Sequence, residues 1–229
     1  MKNILTVVIL FIGVITIHAQ GMRGTSNISD GFGINSKSTK GHQFLLKEWV
    51  IGYLVDNTGK LTEKRLLNYD IHYNKPTYKV SNDSKDVMVL DNELFSGFVL
   101  MDAKKRRYIF TKINGDQFSR KKKDNKYYQL IDAPNKHVIQ ESYKELKDPN
   151  ATGWSSSRDN TLRASFSLKT YYYVLNKNGK YVKVKLSSGS VAKALKDKKK
   201  QVQSFIKSNK LKFKNTNDLV KVMNYYKTL

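Results

Sequence analysis

The sequence predicts an α+β fold: an antiparallel β meander, roll or open barrel, then a long hairpin, then two C-terminal amphipathic helices. Three observations carry this. From Phe44 onward, short apolar or alternating runs recur at roughly 8–12-residue spacing, broken by turn residues. No helical pattern separates those runs, so alternating βαβ units and a parallel sheet are excluded. After Ser190 the apolar period switches from that of a strand to that of a helix.

The elements follow in order. Glu48–Val55 runs into Asp56-Asn57-Thr58-Gly59, a turn set that reaches positive φ at little steric cost. Leu66–Tyr73, Thr77–Val80, Val87–Leu90 and Phe95–Met101 repeat the strand theme. Arg107–Ile113 ends at Asn114-Gly115, a strong tight-hairpin signal, so Asp116–Ser119 reads as a short returning strand. Lys126–Ile131 and Lys136–Tyr143 complete the run. A polar connection, Lys147 to Arg158, carries Pro149, Gly153 and an isolated Trp154. The long hairpin is Ala164–Leu175, turned by Asn176-Lys177-Asn178-Gly179 into Lys180–Leu186. There Tyr181, Val182, Val184 and Leu186 interleave with Lys180, Lys183 and Lys185, giving a half-buried strand with one wet face. Ser190 is placed to cap the first helix, whose apolar face is Val191, Ala194, Leu195, Val202, Phe205 and Ile206. Lys193, Lys196 and Lys198–Lys200 occupy its other face, and Asn209 can end it. A second helix begins near Thr216, with Asp218 in its first turn and Leu219, Val222, Met223 and Tyr226 as one stripe.

Compartment is read from the N-terminus. Lys2, the apolar run Ile4–Ile17 and Ala19 before Gln20 have the layout of a secretory signal peptide. Fourteen residues of helix span roughly 21 Å, short of a hydrocarbon core of about 30 Å, so a retained anchor is disfavoured. The expected organisation is a signal peptide at 1–19, a flexible Gly/Ser/Asn-rich leader at 20–40, and one β-rich domain at 41–229 with a helical cap at about 190–227. No transmembrane segment is expected once the signal is removed. The chain has no cysteine, which excludes disulfides, thiol nucleophiles and Cys-ligated metals. An extracytoplasmic protein of this kind holds together by packing alone.

The inventory for catalysis is thin. His42, His72 and His137 fall in separate segments without a pairing partner at helical spacing, so neither a metal nor another cofactor is expected. Gly-x-Ser-x-Gly, a dinucleotide fingerprint and a phosphate-binding loop are all absent, and Gly31-Phe32-Gly33 lies in the leader. Carboxylates such as Asp86, Asp91 and Glu93 could pair in space for a hydrolase, but they read first as solvated turn residues. Tyr171-Tyr172-Tyr173 is the densest aromatic cluster. It reads first as strand packing and second as a stacking surface for sugar or base.

The charge is the strongest chemical signal: 42 Lys+Arg against 19 Asp+Glu, a formal net charge of +23. Lys104, Lys105, Arg106 and Arg107 occupy one turn, and Arg120, Lys121, Lys122 and Lys123 another. If Asp116–Ser119 is a strand, an up-down-up-down meander places both turns at one end of the sheet. These eight cations then form a basic rim, a candidate site for anions. The competing reading is a lysine-rich surface that is merely solvated.

Several local motifs recur in one order: Glu48-Trp49 before Asn57-Thr58-Gly59, Leu67-Asn68-Tyr69-Asp70, and Phe95-Ser96-Gly97-Phe98. Tyr171-Tyr172-Tyr173-Val174 follows, and Asn217-Asp218-Leu219-Val220 leads to Asn224-Tyr225-Tyr226. In this the chain, from about Gly41 to Tyr226, resembles a family of secreted proteins common in Bacteroidota-type bacteria, to which no activity is assigned. The resemblance implies compartment and architecture and no catalytic residue. The expectation is a non-enzymatic secreted or periplasmic envelope protein with a binding or structural role. Its expected partner is an anionic envelope polymer or another envelope protein. The alternative is a polyanion binder, for lipopolysaccharide phosphate, acidic polysaccharide or extracellular DNA, acting through the basic rim.

Overall fold

The computed structural model describes residues 39–148 and 163–229. The expected signal peptide, most of the leader and Trp154 lie outside the described residues. Ten strands form one antiparallel sheet: β1 (Val50–Asp56), β2 (Arg65–Asp70), β3 (Lys75–Lys79), β4 (Met88–Val89), β5 (Phe95–Met101), β6 (Arg107–Ile113), β7 (Lys126–Leu130), β8 (Val138–Lys147), β9 (Ser165–Leu175) and β10 (Tyr181–Val184). Their spatial order is β10-β9-β8-β7-β6-β5-β1-β2-β3-β4, so β5 to β10 are a plain meander and β1 sits between β2 and β5. The sheet is open, with β4 and β10 at its edges. The fold is α+β as predicted. The turn at Asp56–Gly59 behaves as its residues dictate: Asp56 Oδ1 accepts from the Thr58 and Lys60 amides, and Gly59 takes φ +87°.

Alternation along each strand gives the sheet two faces of different character. On the inner face Leu54, Leu67, Tyr69, Phe98, Leu100, Phe110 and Tyr127 form a buried cluster. The Tyr69 ring lies 5.0 Å from that of Phe110, although β1 and β5 intervene between their strands. Three ladder spacings in a flat sheet amount to roughly 14 Å, so the sheet curls tightly around these rings. The curl brings the end of β2 against β8, where the Lys144 amide donates to the Ile71 carbonyl. Residues before β1 stitch the same seam. The Leu45 amide donates to Tyr69, and Lys40 pairs with Ser165 at the start of β9. Lys40, the last residue of the expected leader, is already part of the sheet's hydrogen bonding.

Farther along, the inner face of β8, β9 and β10 is covered by helices α1 (Ser188–Ala194), α2 (Lys199–Ser208) and α3 (Thr216–Tyr226). Val138, Val174 and Val184 from the sheet meet Val191, Leu195, Val202, Ile206, Leu219, Val222 and Met223. Fully burying a side chain of this kind contributes about 1.5–3 kcal/mol, so the helices are integral to the fold. The first predicted helix is in fact two. A 3-10 turn at Lys196–Lys198 breaks it after Leu195, whose φ −101°, ψ 48° leave the helical region. Its cap is Ser187, not Ser190: the Ser187 side chain accepts from the Ser190 amide. Asn209 ends α2 as expected, and Asn215 caps α3 by accepting from the Asn217 amide.

Candidate anion-binding surfaces

The connection between β6 and β7 decides where the cations go. Asn114-Gly115 does not make a tight hairpin. Such a turn needs positive φ at both residues, whereas Asn114 sits at φ −66°. Instead its side chain accepts from the Asp116 amide and starts a 3-10 turn, Gly115–Gln117. Gly115 is required for a different reason: a Cβ there would lie 2.1 Å from the Lys122 carbonyl oxygen, where the loop folds back on itself. Asp116–Ser119 is accordingly not a strand. The loop crosses the outer face, and Phe118 packs on the rings of Tyr128, Tyr173 and Tyr181 at 5.1, 5.1 and 5.4 Å. The Ser119 amide then donates to the Tyr181 carbonyl on β10. Together with Ile113, Leu130 and Ile139 these rings make a second core on the opposite side of the sheet from the helices.

Lys122 fastens this loop. Its Nζ lies 2.7 Å from Glu141 Oε2 and donates to the hydroxyls of Tyr128 and Tyr173, each at 2.9 Å. It also sits over the Phe118 and Tyr173 rings, 4.5 Å from each centroid. The Tyr173 hydroxyl donates to the same carboxylate oxygen at 2.6 Å. Burial pushes the Tyr128 and Tyr173 phenols well above their ordinary range, so both stay protonated and available as donors. Burial acts to raise the Glu141 carboxyl, but the hydrogen bonds from Lys122 and Tyr173 outweigh it and hold the group below its usual value. Burial pulls the Lys122 ammonium down, with Glu141 opposing. The pair is an ion pair with all of its partners in place, the condition under which a desolvated salt bridge is stable.

The predicted basic rim is not assembled. Without a strand at Asp116–Ser119, the turn carrying Lys104–Arg107 and the loop carrying Arg120–Lys123 are consecutive connections. They lie at opposite ends of β6, seven residues or roughly 23 Å apart. Nor are the eight cations alike. Arg106 is bound to Asp102, with Nε and a terminal nitrogen each 2.7 Å from Oδ2. Lys122 is consumed by the loop's own fastening, and Lys121 lies 3.3 Å from Asp116. Lys104, Lys105, Arg107, Arg120 and Lys123 are exposed and have no ion-pair partner among the described residues.

A better-defined surface lies beside the Lys122 fastening, and sequence reasoning did not assemble it. Tyr171 and Tyr173 share the outer face of β9, whereas Tyr172 points to the helices. Tyr173 is buried, while Tyr171 is half-exposed next to Tyr143 of β8. The Tyr143 and Tyr171 rings are 5.8 Å apart with their hydroxyls at 3.4 Å. Lys183 of β10 places its Nζ 3.1 Å from the centre of the Tyr171 ring. Lys126 of β7 approaches Glu141 only to 4.0 Å, and Lys169, which faces Tyr143, lies 3.8 Å from Glu145. The result is a pair of aromatic rings flanked by lysines from three strands.

The remaining candidates resolve simply. Asp91 accepts from the Glu93 amide and Asp86 sits in the loop before β4, so these carboxylates shape turns. His72 Nδ1 contacts the Lys144 carbonyl at 2.7 Å, His137 lies beside Asp132, and His42 stacks on Phe44. Among the described residues no three His, Asp or Glu side chains converge to hold a metal, and no helix is long and apolar enough to cross a membrane. A shallow cleft of about 390 Å³ near the chain's end is lined by Lys177, Lys198, Lys227, Asp197 and Tyr226. Its Asp197 carboxylate accepts from the Tyr226 hydroxyl at 3.0 and 3.1 Å, which ties α3 to the 3-10 turn. No family model, no curated protein and no solved structure matches this chain.

Proposed function

We propose that this is a non-enzymatic extracytoplasmic binding protein whose ligand is an anionic polymer, carried on the outer face of β7 to β10. The reading of the compartment rests on the N-terminal signal-peptide pattern and on the resemblance to secreted proteins. The reading of the ligand rests on one observation. Lys122 satisfies the buried Glu141 of that face from within and Glu145 is taken by Lys169, so Lys126 and Lys183 have little acidic charge left to pair with. The loop that crosses the face adds Arg120 and Lys123. Half-exposed aromatic rings offer stacking area to a sugar or base, and the ammonium groups offer counterion exchange to its phosphates, sulfates or carboxylates. The eight-residue rim is replaced by this surface as the proposed site.

Binding of heparin and of inorganic polyphosphate across a salt series tests the proposal. The slope of log affinity against log salt should shrink by about 0.7 for each cation removed from the contact. Replacing Arg120, Lys123, Lys126 and Lys183 by Gln should therefore flatten it by roughly three units. The same number of substitutions at Lys193, Lys196, Lys199 and Lys200 on the helical side should leave it nearly unchanged. Equal losses from the two sets would mean that binding follows net charge alone, and the site would be refuted.

A further inference from the structure

The outer face of the other half of the sheet carries a second feature, independent of the polymer site. The registers place Lys79, Leu66, Ile51, Met101 and Arg107 in one row across β3, β2, β1, β5 and β6. Residues directly opposite in antiparallel strands share a face, so this row is three apolar side chains bracketed by two cations. The next row on that face is Tyr53, Val99 and Ile109. Ile51 is 40% exposed, and Leu66, Tyr53, Val99, Met101 and Ile109 are half-buried. Ile109, at the end of the second row, packs against the core under the β6–β7 loop. The helices lie on the opposite face, so among the described residues no helix and no part of that loop core packs on Leu66, Ile51, Met101, Tyr53 or Val99. The hairpin tip just beyond Met101 holds Lys104 and Lys105, whose exposed side chains have no ion-pair partner among the described residues.

From this we infer that the outer face of β1, β2, β5 and β6 docks on an anionic lipid surface. The apolar rows settle at the level of the headgroups, and Lys79, Lys104, Lys105 and Arg107 engage the lipid phosphates. Charge decides between this occupant and a second copy of the chain. Two copies meeting on this face would bring together two sets of cations that have no ion-pair partner among the described residues, on a chain of net charge +23, whereas an anionic bilayer offers both the apolar depth and the opposite charge. A soluble polyanion satisfies the cations and leaves the apolar rows wet.

The absence of cysteine gives a direct test in the full chain. A Met101→Cys variant carrying an environment-sensitive dye reports the polarity at the centre of the row, whatever other part of the chain meets the membrane. Its emission should shift to the blue with vesicles containing phosphatidylglycerol and not with phosphatidylcholine alone. The same dye at Lys193→Cys, on α1, should not respond. Adding Lys104→Gln, Lys105→Gln and Arg107→Gln to the Met101→Cys chain should weaken the response roughly fivefold for each cation removed. Vesicle binding without a shift at position 101 would overturn the inference. So would a shift produced equally by inorganic polyphosphate, or an already blue, concentration-dependent emission without lipid, which would identify a second copy. A blue emission without lipid at every concentration would mean that the chain covers its own face, and would overturn it as well.

Discussion

Strands β8 to β10 carry helices on their inner face, and the folded β6–β7 loop covers part of the outer face, around Phe118, Tyr128, Tyr173 and Tyr181. Strands β1, β2 and β5 bury only the inner face, around Tyr69, Phe98 and Phe110, and leave Ile51, Tyr53, Val99 and Met101 toward solvent. The same chemistry is used in opposite ways in the two halves. In the covered half a lysine is turned inward to close a core, where Glu141, Tyr128, Tyr173 and the Phe118 ring hold Lys122. In the open half the lysines and arginines of the β5–β6 turn stay outside, beside apolar residues on which neither the helices nor that loop core packs. Lys122 is therefore structural because it meets a buried carboxylate, whereas Lys104, Lys105 and Arg107 are exposed and have no ion-pair partner among the described residues.

The largest effect that sharpens this contrast comes from the loop that covers the second core. Phe118→Ala should lower the unfolding free energy by about 4 kcal/mol in urea, as for other buried Phe truncations, because three tyrosine rings lose their partner. A loss under 1 kcal/mol would mean that the loop only rests on the face. Next comes Lys122→Met, which strands Glu141 in a mostly buried site. It should cost about 3 kcal/mol, while Lys123→Met, one residue on and exposed, should stay within about 0.5 kcal/mol. Equal effects at the two positions would remove the distinction between structural and free cations.

The third effect is on acid stability. Glu141 has a lowered folded-state value, so its contribution is fully present above the unfolded value of about 4.3 and is lost as the pH falls through the folded one. Glu141→Gln should therefore flatten the stability profile below about pH 4.3, on top of a uniform loss at neutral pH. An acid limb as steep as that of the unsubstituted protein would show that other carboxylates control it. The smallest effect is expected on the open face. Ile51→Thr should change the unfolding midpoint by less than about 0.5 kcal/mol, because the side chain is already 40% exposed. A large loss there would mean that this face is covered after all.

Much of the sheet was legible because strand signals are local. Alternation and turn residues mark β5 and β6 at the very bounds observed, Phe95–Met101 and Arg107–Ile113. The turn at Asn176–Gly179 also behaves as its residues require, with Asn176 Oδ1 accepting from the Asn178 and Lys180 amides. Helix α1 and helix α2 read as one for a geometric reason. Three residues at three per turn shift the apolar stripe by only about 60° relative to an α-helix, within the width of the buried face. The functional surface was less legible. Whether two basic turns share an end depends on whether an odd or even number of strands lies between them, and one misread strand reversed that. The role of Lys122 depends on partners 19 and 51 residues away, so a run of four cations showed no sign that one of them is internal. Phe118, an isolated aromatic in an otherwise polar loop, was the only local hint.

The position of β1 between β2 and β5 also bears on how the chain reaches this state. Every other ladder in the sheet joins strands that are neighbours in sequence, but Ile51 pairs with Met101 across some 50 residues. Closing a loop of that size costs about 2 kcal/mol more entropy than closing a five-residue turn. The β5-to-β10 meander can grow hairpin by hairpin with small closure steps, whereas the inner core of the first half forms only when β1 meets β5. Native contacts of high sequence separation slow folding, so this single ladder is the expected late and rate-setting event. Substitutions along it, such as Leu54→Ala opposite Phe98, should slow refolding if the ladder forms in the transition state, and speed unfolding if it forms afterwards.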